Sequence, residues 1–257
     1  MKRKRTYVDG RRNQILEIMK KNPTVRVDEL AGKLDVSLIT IRRDLQYLEE
    51  QKVLTRFYGG ASVIAPEYSE EDEIRMYRTL IAKYAAALVE DGDSLFINTS
   101  RNALQMLDYV TRNNVTVITN NGKAIGKDYY EGISILITGG ELRYPKNAMV
   151  GDFAVRNLQT VFPKKAFMGC SGISPVSGVT TEISGEVRIN ELMIRNATKD
   201  VYVLADHTKI GKNSSFTTSS VQRIGHLITD EKAPQDILKE LENAGVKVHL
   251  VHKGELS

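Results

Sequence analysis

The chain has almost no cysteine, no tryptophan and no long hydrophobic run. Its one cysteine, Cys170, excludes an internal disulfide and a zinc site built from several cysteines. Every apolar stretch is shorter than the roughly 18 residues that a membrane-spanning helix needs. The phosphate-binding pattern Gly-x-x-x-x-Gly-Lys-Ser/Thr is also absent, which argues against an ATPase. We therefore predict a cytoplasmic protein without a membrane segment.

Positive charge is concentrated at the amino end of the chain. Residues 1–60 hold 14 Lys and Arg against 8 Asp and Glu, whereas the other 197 residues hold 22 against 24. A basic end on an otherwise balanced protein indicates contact with a polyanion. A basic arm without any partner is the alternative interpretation.

The amino-terminal segment has the outline of a winged helix-turn-helix. Its patterns predict helices over residues 11–22 and 27–34 and a third helix that begins after Ser37, whose hydroxyl suits an N-cap. The stretch KVLTRFYGGASVI then predicts two strands around Gly59-Gly60.

The third helix, within DVSLITIRRDLQYL, has two faces. An apolar stripe, which faces the core, is formed by Leu38, Ile41, Leu45 and Leu48. An α-helix fits the major groove of duplex DNA, where arginine and amide side chains read purine edges. The predicted DNA contacts are Ser37, Ile39, Thr40, Arg42, Arg43 and Gln46. The alternative is a solvated surface on which Arg42 or Arg43 pairs with Asp44 or Glu49.

A proline and an acidic cluster in APEYSEEDEIRM mark a boundary between two parts of the chain. We predict domains at residues 1–62 and 78–257, joined by a linker at residues 63–77. Beyond the linker, short β-rich runs such as SLFIN, VTVIT and VYVLA alternate with amphipathic helical stretches. This pattern is typical of a mostly parallel sheet with helices on both faces. The predicted fold class is α/β, with a small winged helix-turn-helix domain followed by a larger, mostly parallel α/β domain.

The amino-terminal motif resembles the DNA-binding signature of the deoxyribose-operon repressor (DeoR) family. The matching residues are Arg11, Ile15, Met19 and the run Ser37–Leu45. The match continues into Gly59-Gly60-Ala61, where Tyr58 replaces the family's usual histidine; we add Tyr58 to the predicted DNA contacts.

The resemblance extends from about Arg11 to Thr229 and implies a regulator, more specifically a repressor, of carbohydrate-metabolism genes. In this family the carboxyl-terminal domain is similar in fold to ribose-5-phosphate isomerase and binds a phosphorylated sugar. The implied partners are double-stranded operator DNA, a phosphorylated sugar effector and further copies of the chain in a dimer or tetramer. No cofactor is implied.

Ligands of parallel α/β sheets bind beyond the carboxyl ends of the strands, and the loops predicted there supply the candidate effector site. The predicted effector-binding residues are Asn98, Thr99, Ser100, Arg101, Asn102, Thr119, Asn120, Asn121, Gly139, Gly140, Ser171, Glu182, Asp206 and Lys209. Each of these loops also has a structural alternative: the asparagines after Thr119 as caps of a helix, Gly139-Gly140 as a ligand-free turn, and Lys209 as an ion-pair partner of Asp206. Asn98 and Arg101 also depart from the family's usual residues.

The similarity to an isomerase raises an enzyme as the alternative function. An aldose–ketose isomerase needs a carboxylate base beside its substrate. In those enzymes the loop that corresponds to Met168–Gly172 carries two aspartates, and Met168 and Ser171 stand in their places here. We therefore predict neither catalytic residues nor a metal site.

Overall fold

The computed structural model describes residues 2–51, 53–63 and 69–256. The chain forms two compact units, which divide between Asp72 and Glu73. Residues 64–68 of the predicted linker lie outside the described residues. Within the described part, no helix is both long and apolar enough to cross a membrane.

The first unit is a helix-turn-helix followed by a β-hairpin wing. Its elements are α1 (Lys2–Lys21), β1 (Thr24–Arg26), α2 (Val27–Leu34), α3 (Leu38–Glu50), β2 (Leu54–Phe57) and β3 (Gly60–Val63). The three strands form an antiparallel sheet in the order β1-β3-β2. The predicted helices and hairpin are confirmed, but α1 begins earlier than predicted and β1 was missed. A three-residue strand is too short to show an alternating pattern.

One hydrophobic core holds the first unit together, with Ile15, Leu30, Ile41 and Leu45 fully buried in it. Leu38 was predicted to belong to this core, but this prediction is wrong because 45% of its surface is exposed. It is the first residue of α3 and lies where the helix has only begun to pack.

The second unit is built around a seven-stranded sheet. Its strands and helices in chain order are α4 (Glu70–Ala87), β4 (Ser94–Ile97), α5 (Arg101–Met106), β5 (Val115–Thr119), β6 (Ile133–Ile137), β7 (Glu141–Arg143), β8 (Ala148–Val150), α6 (Asp152–Gln159), β9 (Lys165–Gly169), β10 (Gly172–Ser174), β11 (Gly178–Thr181), α7 (Ser184–Asn196), β12 (Asp200–Leu204), β13 (Phe216–Ser219), β14 (His226–Asp230), α8 (Gln235–Asn243) and β15 (Lys247–Val251).

The large sheet has the order β15-β14-β12-β9-β4-β5-β6, and every adjacent pair is parallel. Successive residues of β4 point to opposite faces: Leu95 and Ile97 belong to the core beneath α4 and α5, while Phe96 belongs to the core beneath α6, α7 and α8. The predicted parallel α/β architecture is therefore confirmed. The carboxyl ends of β4, β9 and β12 meet at the centre of one sheet edge, where the loops that follow them lie side by side.

Two small antiparallel sheets complete the second unit, and the sequence did not predict them. One is the hairpin β7–β8, and the other joins β10, β11 and β13. Their strands have three or four residues each, too few to establish a period.

Candidate functional site

The face of α3 that was predicted to read DNA is exposed. The Ser37 hydroxyl accepts a hydrogen bond from the Thr40 backbone N–H at 3.3 Å and lies 2.9 Å from the Thr40 hydroxyl, so it caps the helix as expected. Ile39 is 64% exposed, so its apolar side chain is not part of the core of this unit. Gln46 also points outward and donates to Glu50 at 3.2 Å.

Arg42 and Arg43 are exposed and, among the residues that the structure describes, form no ion pair. The carboxylates that the solvated-surface alternative offered them are occupied by other arginines. Asp44 pairs with Arg11 at 2.6 Å, and Glu49 pairs with Arg56 at 2.7 Å. Two unpaired guanidinium groups on one helix face are suited to phosphates and purine edges.

Asp44 is a buried structural residue, a role that the sequence analysis missed. Its carboxylate is 2% exposed and accepts hydrogen bonds from Arg11 at 2.6 Å and Arg12 at 3.1 Å, both on α1. Arg12 also stacks on Tyr47, 3.6 Å from the ring centroid. The arginine and the aspartate of the motif thus fix α3 to α1, while the two arginines between them in the motif remain free.

The wing presents Tyr58 at its tip, where the side chain is fully exposed. Gly60 beside it has to be glycine, because a Cβ atom there would lie 2.5 Å from both the Val25 carbonyl oxygen and the Phe57 ring. The hairpin therefore packs closely against β1 and holds its aromatic tip outward.

The second unit contains a cavity of about 340 Å³ at the carboxyl ends of β4, β9 and β12. Nine of the predicted effector residues line it: Asn98, Thr99, Ser100, Arg101, Asn102, Ser171, Glu182, Asp206 and Lys209. Four further charged residues that were not predicted also line it: Arg78, Lys123, Lys146 and Glu186. Sheet topology brings these together from segments that are distant in sequence.

The other predicted residues lie outside this cavity. Thr119, Asn120 and Asn121 are buried, and the Asn121 side chain caps a short 3-10 helix by accepting from the Lys123 N–H at 3.0 Å. Gly140 sits in a tight turn with φ +110°, where a Cβ atom would lie 2.5 Å from the Val150 carbonyl oxygen. Gly139, beside it, also has a positive φ. The positions of these residues match the structural alternatives that the sequence left open.

Asn98 forms part of the cavity floor and uses its whole amide to hold neighbouring loops. Its Oδ1 accepts from the Gly169 N–H at 3.0 Å and the Ser100 N–H at 3.2 Å. Its Nδ2 donates to the Gly169 carbonyl at 2.9 Å and to Asn190 at 3.3 Å. A carboxylate cannot donate, so an aspartate at this position could not make the two bonds from Nδ2.

Gly169 allows the end of β9 to approach this turn. A Cβ atom at Gly169 would lie 1.9 Å from the Ser100 hydroxyl oxygen, so any larger residue would displace the loop after β4. Ser100 in turn caps α5, where its hydroxyl accepts from the Ala103 N–H at 3.5 Å.

Two buried carboxylates supply negative charge to the cavity. Glu186 is 2% exposed, accepts from Thr99 at 2.8 Å and from Thr181 at 3.3 Å, and lies 3.7 Å from the Lys146 ammonium. Asp206 is 1% exposed and accepts from Arg78 Nε at 2.8 Å.

Burial acts to raise the pKa of Asp206, but hydrogen bonds from Thr208 and Arg78 outweigh it and hold the pKa below its usual value. Asp206 is therefore ionised at neutral pH. No ion pair between Lys209 and Asp206 exists in this part of the structure, contrary to the alternative raised from the sequence.

The two positions at which an isomerase would carry its aspartates hold Met168 and Ser171, and both side chains have structural roles. Met168 is 1% exposed and packs in the hydrophobic core, and the Ser171 hydroxyl accepts from the Glu182 backbone N–H at 3.2 Å. Cys170 lines the cavity, and burial raises the pKa of its thiol to about 12, so it is not a thiolate at neutral pH. Among the described residues, no three His, Cys, Asp or Glu side chains are grouped as a metal site.

Comparison with known proteins adds two matches to protein families. Residues 11–67 match the DeoR-like helix-turn-helix domain, and residues 75–231 match the DeoR C terminal sensor domain. The chain is 30% identical over 256 residues to a putative aga operon transcriptional repressor of Escherichia coli O157:H7, covering 96% of this chain and 95% of the relative.

A second relative is the lactose phosphotransferase system repressor of Staphylococcus aureus, 30% identical over 86% of this chain and 91% of that protein. Among solved structures, a ribose 5-phosphate isomerase from Plasmodium falciparum aligns with 53% of this chain and 52% of its own, at 11% identity and a TM-score of 0.37.

Proposed function

Since the chain belongs to the DeoR family of transcriptional regulators, we propose that it represses genes of carbohydrate metabolism and responds to a phosphorylated sugar held in the cavity. We call residues up to Asp72 the DNA-reading unit and residues from Glu73 onward the sensor unit. Two relatives named as repressors of the aga operon and of the lactose phosphotransferase system support the assignment to sugar operons.

The observation that carries the proposal is the charge pattern of the cavity. Arg101 and Lys209 line it without forming an ion pair to any residue that the structure describes, whereas Asp206 and Glu186 are held by other groups. Unpaired cations beside the hydroxyls of Thr99 and Ser171 suit a ligand that carries both an anionic group and hydroxyls. A phosphorylated sugar has this chemistry.

On the DNA side, we propose that Ser37, Thr40, Arg42, Arg43 and Gln46 contact duplex operator DNA, together with Ile39 and the wing residue Tyr58. Reading of adjacent half-sites by two DNA-reading units requires at least two copies of the chain. We propose that the chain acts as a homo-oligomer, a dimer or a tetramer, in the cytoplasm.

A thermal-shift screen of sugar monophosphates tests the sensor half. A ligand at 100 times its dissociation constant stabilises the folded protein by about 2.7 kcal/mol, which is readily measured. Lys209→Ala should abolish the shift, while Lys199→Ala, an exposed lysine outside the cavity, should preserve it. If no phosphorylated sugar shifts the wild-type melting temperature, the sensor half of the proposal is wrong.

Selection of bound duplexes from a random pool tests the DNA half. The full chain should enrich a site with two similar half-sites, and adding the sugar phosphate found in the screen should change the affinity for that site. A coupling between two sites works in both directions, so the operator should also change the affinity for the sugar phosphate by the same factor. Enrichment of no sequence would contradict the proposed DNA reading.

A further inference from the structure

Helix α4 is the element by which the chain enters the sensor unit, and one of its side chains lines the cavity. The helix begins at Glu70 and belongs to the sensor unit from Glu73 onward. Arg78 projects from it toward the cavity, with 28% of its side chain exposed, and its Nε donates to Asp206 Oδ2 at 2.8 Å. The sequence analysis placed residues 63–77 in a linker and gave Arg78 no role, whereas the structure places the residues from Glu70 onward in a helix.

Two further contacts fix the same stretch of α4 to the carboxyl edge of the sheet. Tyr77 is 2% exposed and donates its hydroxyl to Glu231 at 3.0 Å, and Glu73 forms an ion pair with Lys232. The partners of α4 therefore lie in the loops that follow β12 and β14, next to the cavity. A ligand that moves these loops or changes their charge therefore also acts on the start of α4.

The Arg78 guanidinium has donors to spare. Only its Nε is engaged by Asp206, and the two terminal nitrogens have no hydrogen-bond partner among the described residues. A guanidinium carries five N–H donors in a planar fork that matches a phosphate at two points. A phosphate that takes the side of this fork formed by Nε and one terminal nitrogen competes directly with Asp206 for Nε.

Asp206 keeps two of its three donors when Arg78 leaves it. Its Oδ1 accepts from the Thr208 N–H at 3.1 Å and from the Thr208 hydroxyl, so the loss of Arg78 removes only one of its three donors. Lys209, which also lines the cavity, contributes favourable charge to the same carboxylate. After the exchange of Arg78 from carboxylate to phosphate, Asp206 keeps the two Thr208 donors and the nearby Lys209 charge, and only its Oδ2 loses a hydrogen bond.

From these contacts, and resting on the proposed function, we propose that Arg78 binds the phosphate group of the effector and, on leaving Asp206, loosens the first turns of α4. Arg78 is then a positioning residue that reports occupancy of the cavity to the helix that follows the DNA-reading unit. The effector changes operator affinity only to the extent that it prefers one state of this contact over the other.

Hydrogen exchange of the full chain tests this proposal, and it is measured on peptides that cover residues 73–80. The probes are inorganic phosphate and glucose 6-phosphate, and chloride of equal ionic strength is the reference. In the wild type, a probe that raises the melting temperature should speed exchange in α4. Arg78→Gln should show the faster exchange without any probe, should not respond further, and should bind the probe about tenfold more weakly.

Asp206→Asn is the complementary variant. It removes the competitor but keeps Arg78, so α4 should again exchange faster while the probe binds more tightly than in the wild type. A purely structural role for the ion pair predicts weaker binding in both variants. Arg156→Gln is the matched control, since it removes an exposed arginine that lies on α6, outside the cavity, and should behave as the wild type.

The outcomes separate this inference from the proposed function. If a probe raises the melting temperature but leaves α4 exchange unchanged, or if Arg78→Gln binds and responds as the wild type does, the role of Arg78 is overturned and the sensor function stands. If neither the probes nor any sugar monophosphate raises the melting temperature, the sensor function fails and the role of Arg78 fails with it.

Discussion

The two units carry their functional residues in opposite ways. In the DNA-reading unit the candidate contacts lie mainly on one helix of 13 residues, α3, and point away from the core. In the sensor unit the cavity is lined by residues of the helices α4, α5 and α7, by the loops after β4, β9, β11 and β12, and by Lys123 and Lys146. The DNA-reading face comes from one continuous stretch of sequence, whereas the cavity is assembled from distant segments by the fold of the sheet.

This difference determines what else each side chain does. Arg42 and Arg43 form no ion pair with the described residues, so replacing them should change binding and little else. Asn98 and Glu186 line the cavity but also bind neighbouring loops, so replacing them would change structure and binding together. A substitution in the cavity therefore needs a stability measurement beside its binding measurement.

Asp44→Ala should have the largest effect, which is a loss of stability of the DNA-reading unit. Asp44 is the exception on α3 because its side chain stabilises the fold. It lies among the DNA-reading residues but is buried, and its removal leaves Arg11 and Arg12 without their carboxylate. Breaking a buried pair from one side costs about 3 kcal/mol. Chemical denaturation, followed by a probe in the DNA-reading unit, should show the loss, with Asp28→Ala on the exposed surface of α2 as the control. Stability equal to that of the wild type would contradict this structural role for Asp44.

Gly169→Ala should come next and tests the sensor unit as an assembled site. The new methyl group would collide with Ser100, and overpacking of this kind costs about 1–3 kcal/mol. Both the melting temperature and the affinity for a sugar phosphate should fall, because the Asn98–Ser100 turn has to move. Gly254→Ala is the control, because the space around Gly254 is open. Gly126 is unsuitable, because its φ of +75° would strain an alanine. Loss of stability with unchanged ligand affinity would show that the turn is not part of the binding site.

Arg43→Ala should weaken operator binding by about 1–3 kcal/mol if the side chain contacts a base, and by less if it holds only a phosphate. Because the side chain forms no ion pair within the described unit, the melting temperature should stay unchanged. Titration of the selected duplex at several salt concentrations distinguishes the two contacts, and Lys33→Ala on α2 serves as the control. Unchanged binding at every salt concentration would remove Arg43 from the interface.

The smallest predicted effect is on the pH dependence of sensor-unit stability. Burial, together with the charges of His226 and Lys247, lowers the pKa of His249 below its usual 6.5. The folded state thus binds fewer protons than the unfolded state, and stability should fall as the pH drops below 6.5. Thermal melts between pH 7 and 5 should show a shallower decline for His249→Gln and a partly reduced one for Lys247→Gln. An unchanged slope in both variants would contradict this role for His249.

Much of the DNA-reading unit was predictable because its signals are local. The period of Ile41, Leu45 and Leu48 identifies the buried face of α3, and all three are in fact buried. The exposed face then follows from helix geometry alone. What local pattern does not show is the partner of Asp44, since Arg11 lies on another helix 33 residues away.

The sensor unit was predicted less completely, and three of its four missed charged residues share a cause. Arg78 lies in α4, which follows no strand of the large sheet in the sequence. Lys146 belongs to the β7–β8 hairpin loop, whose position depends on how the carboxyl ends of the large sheet are packed. Glu186 follows the small β10–β11 hairpin, which has no readable period. None of these residues follows directly on a strand of the large sheet, which was the feature used to find the others.

The α/β pattern, the helix with the proposed DNA-reading face and the strand ends beside the cavity follow from the amino-acid sequence alone, because hydrophobic periodicity and helix caps act over a few residues. Which polar side chains at those strand ends remain available to a ligand depends on the packing of the whole chain. Thr119, Asn120 and Asn121 are buried or engaged by their own loop, while Arg78 and Lys146 enter the cavity from elsewhere. The reason is that a polar group takes the partner nearest in space, and that partner is set by the packing of the sheet edge.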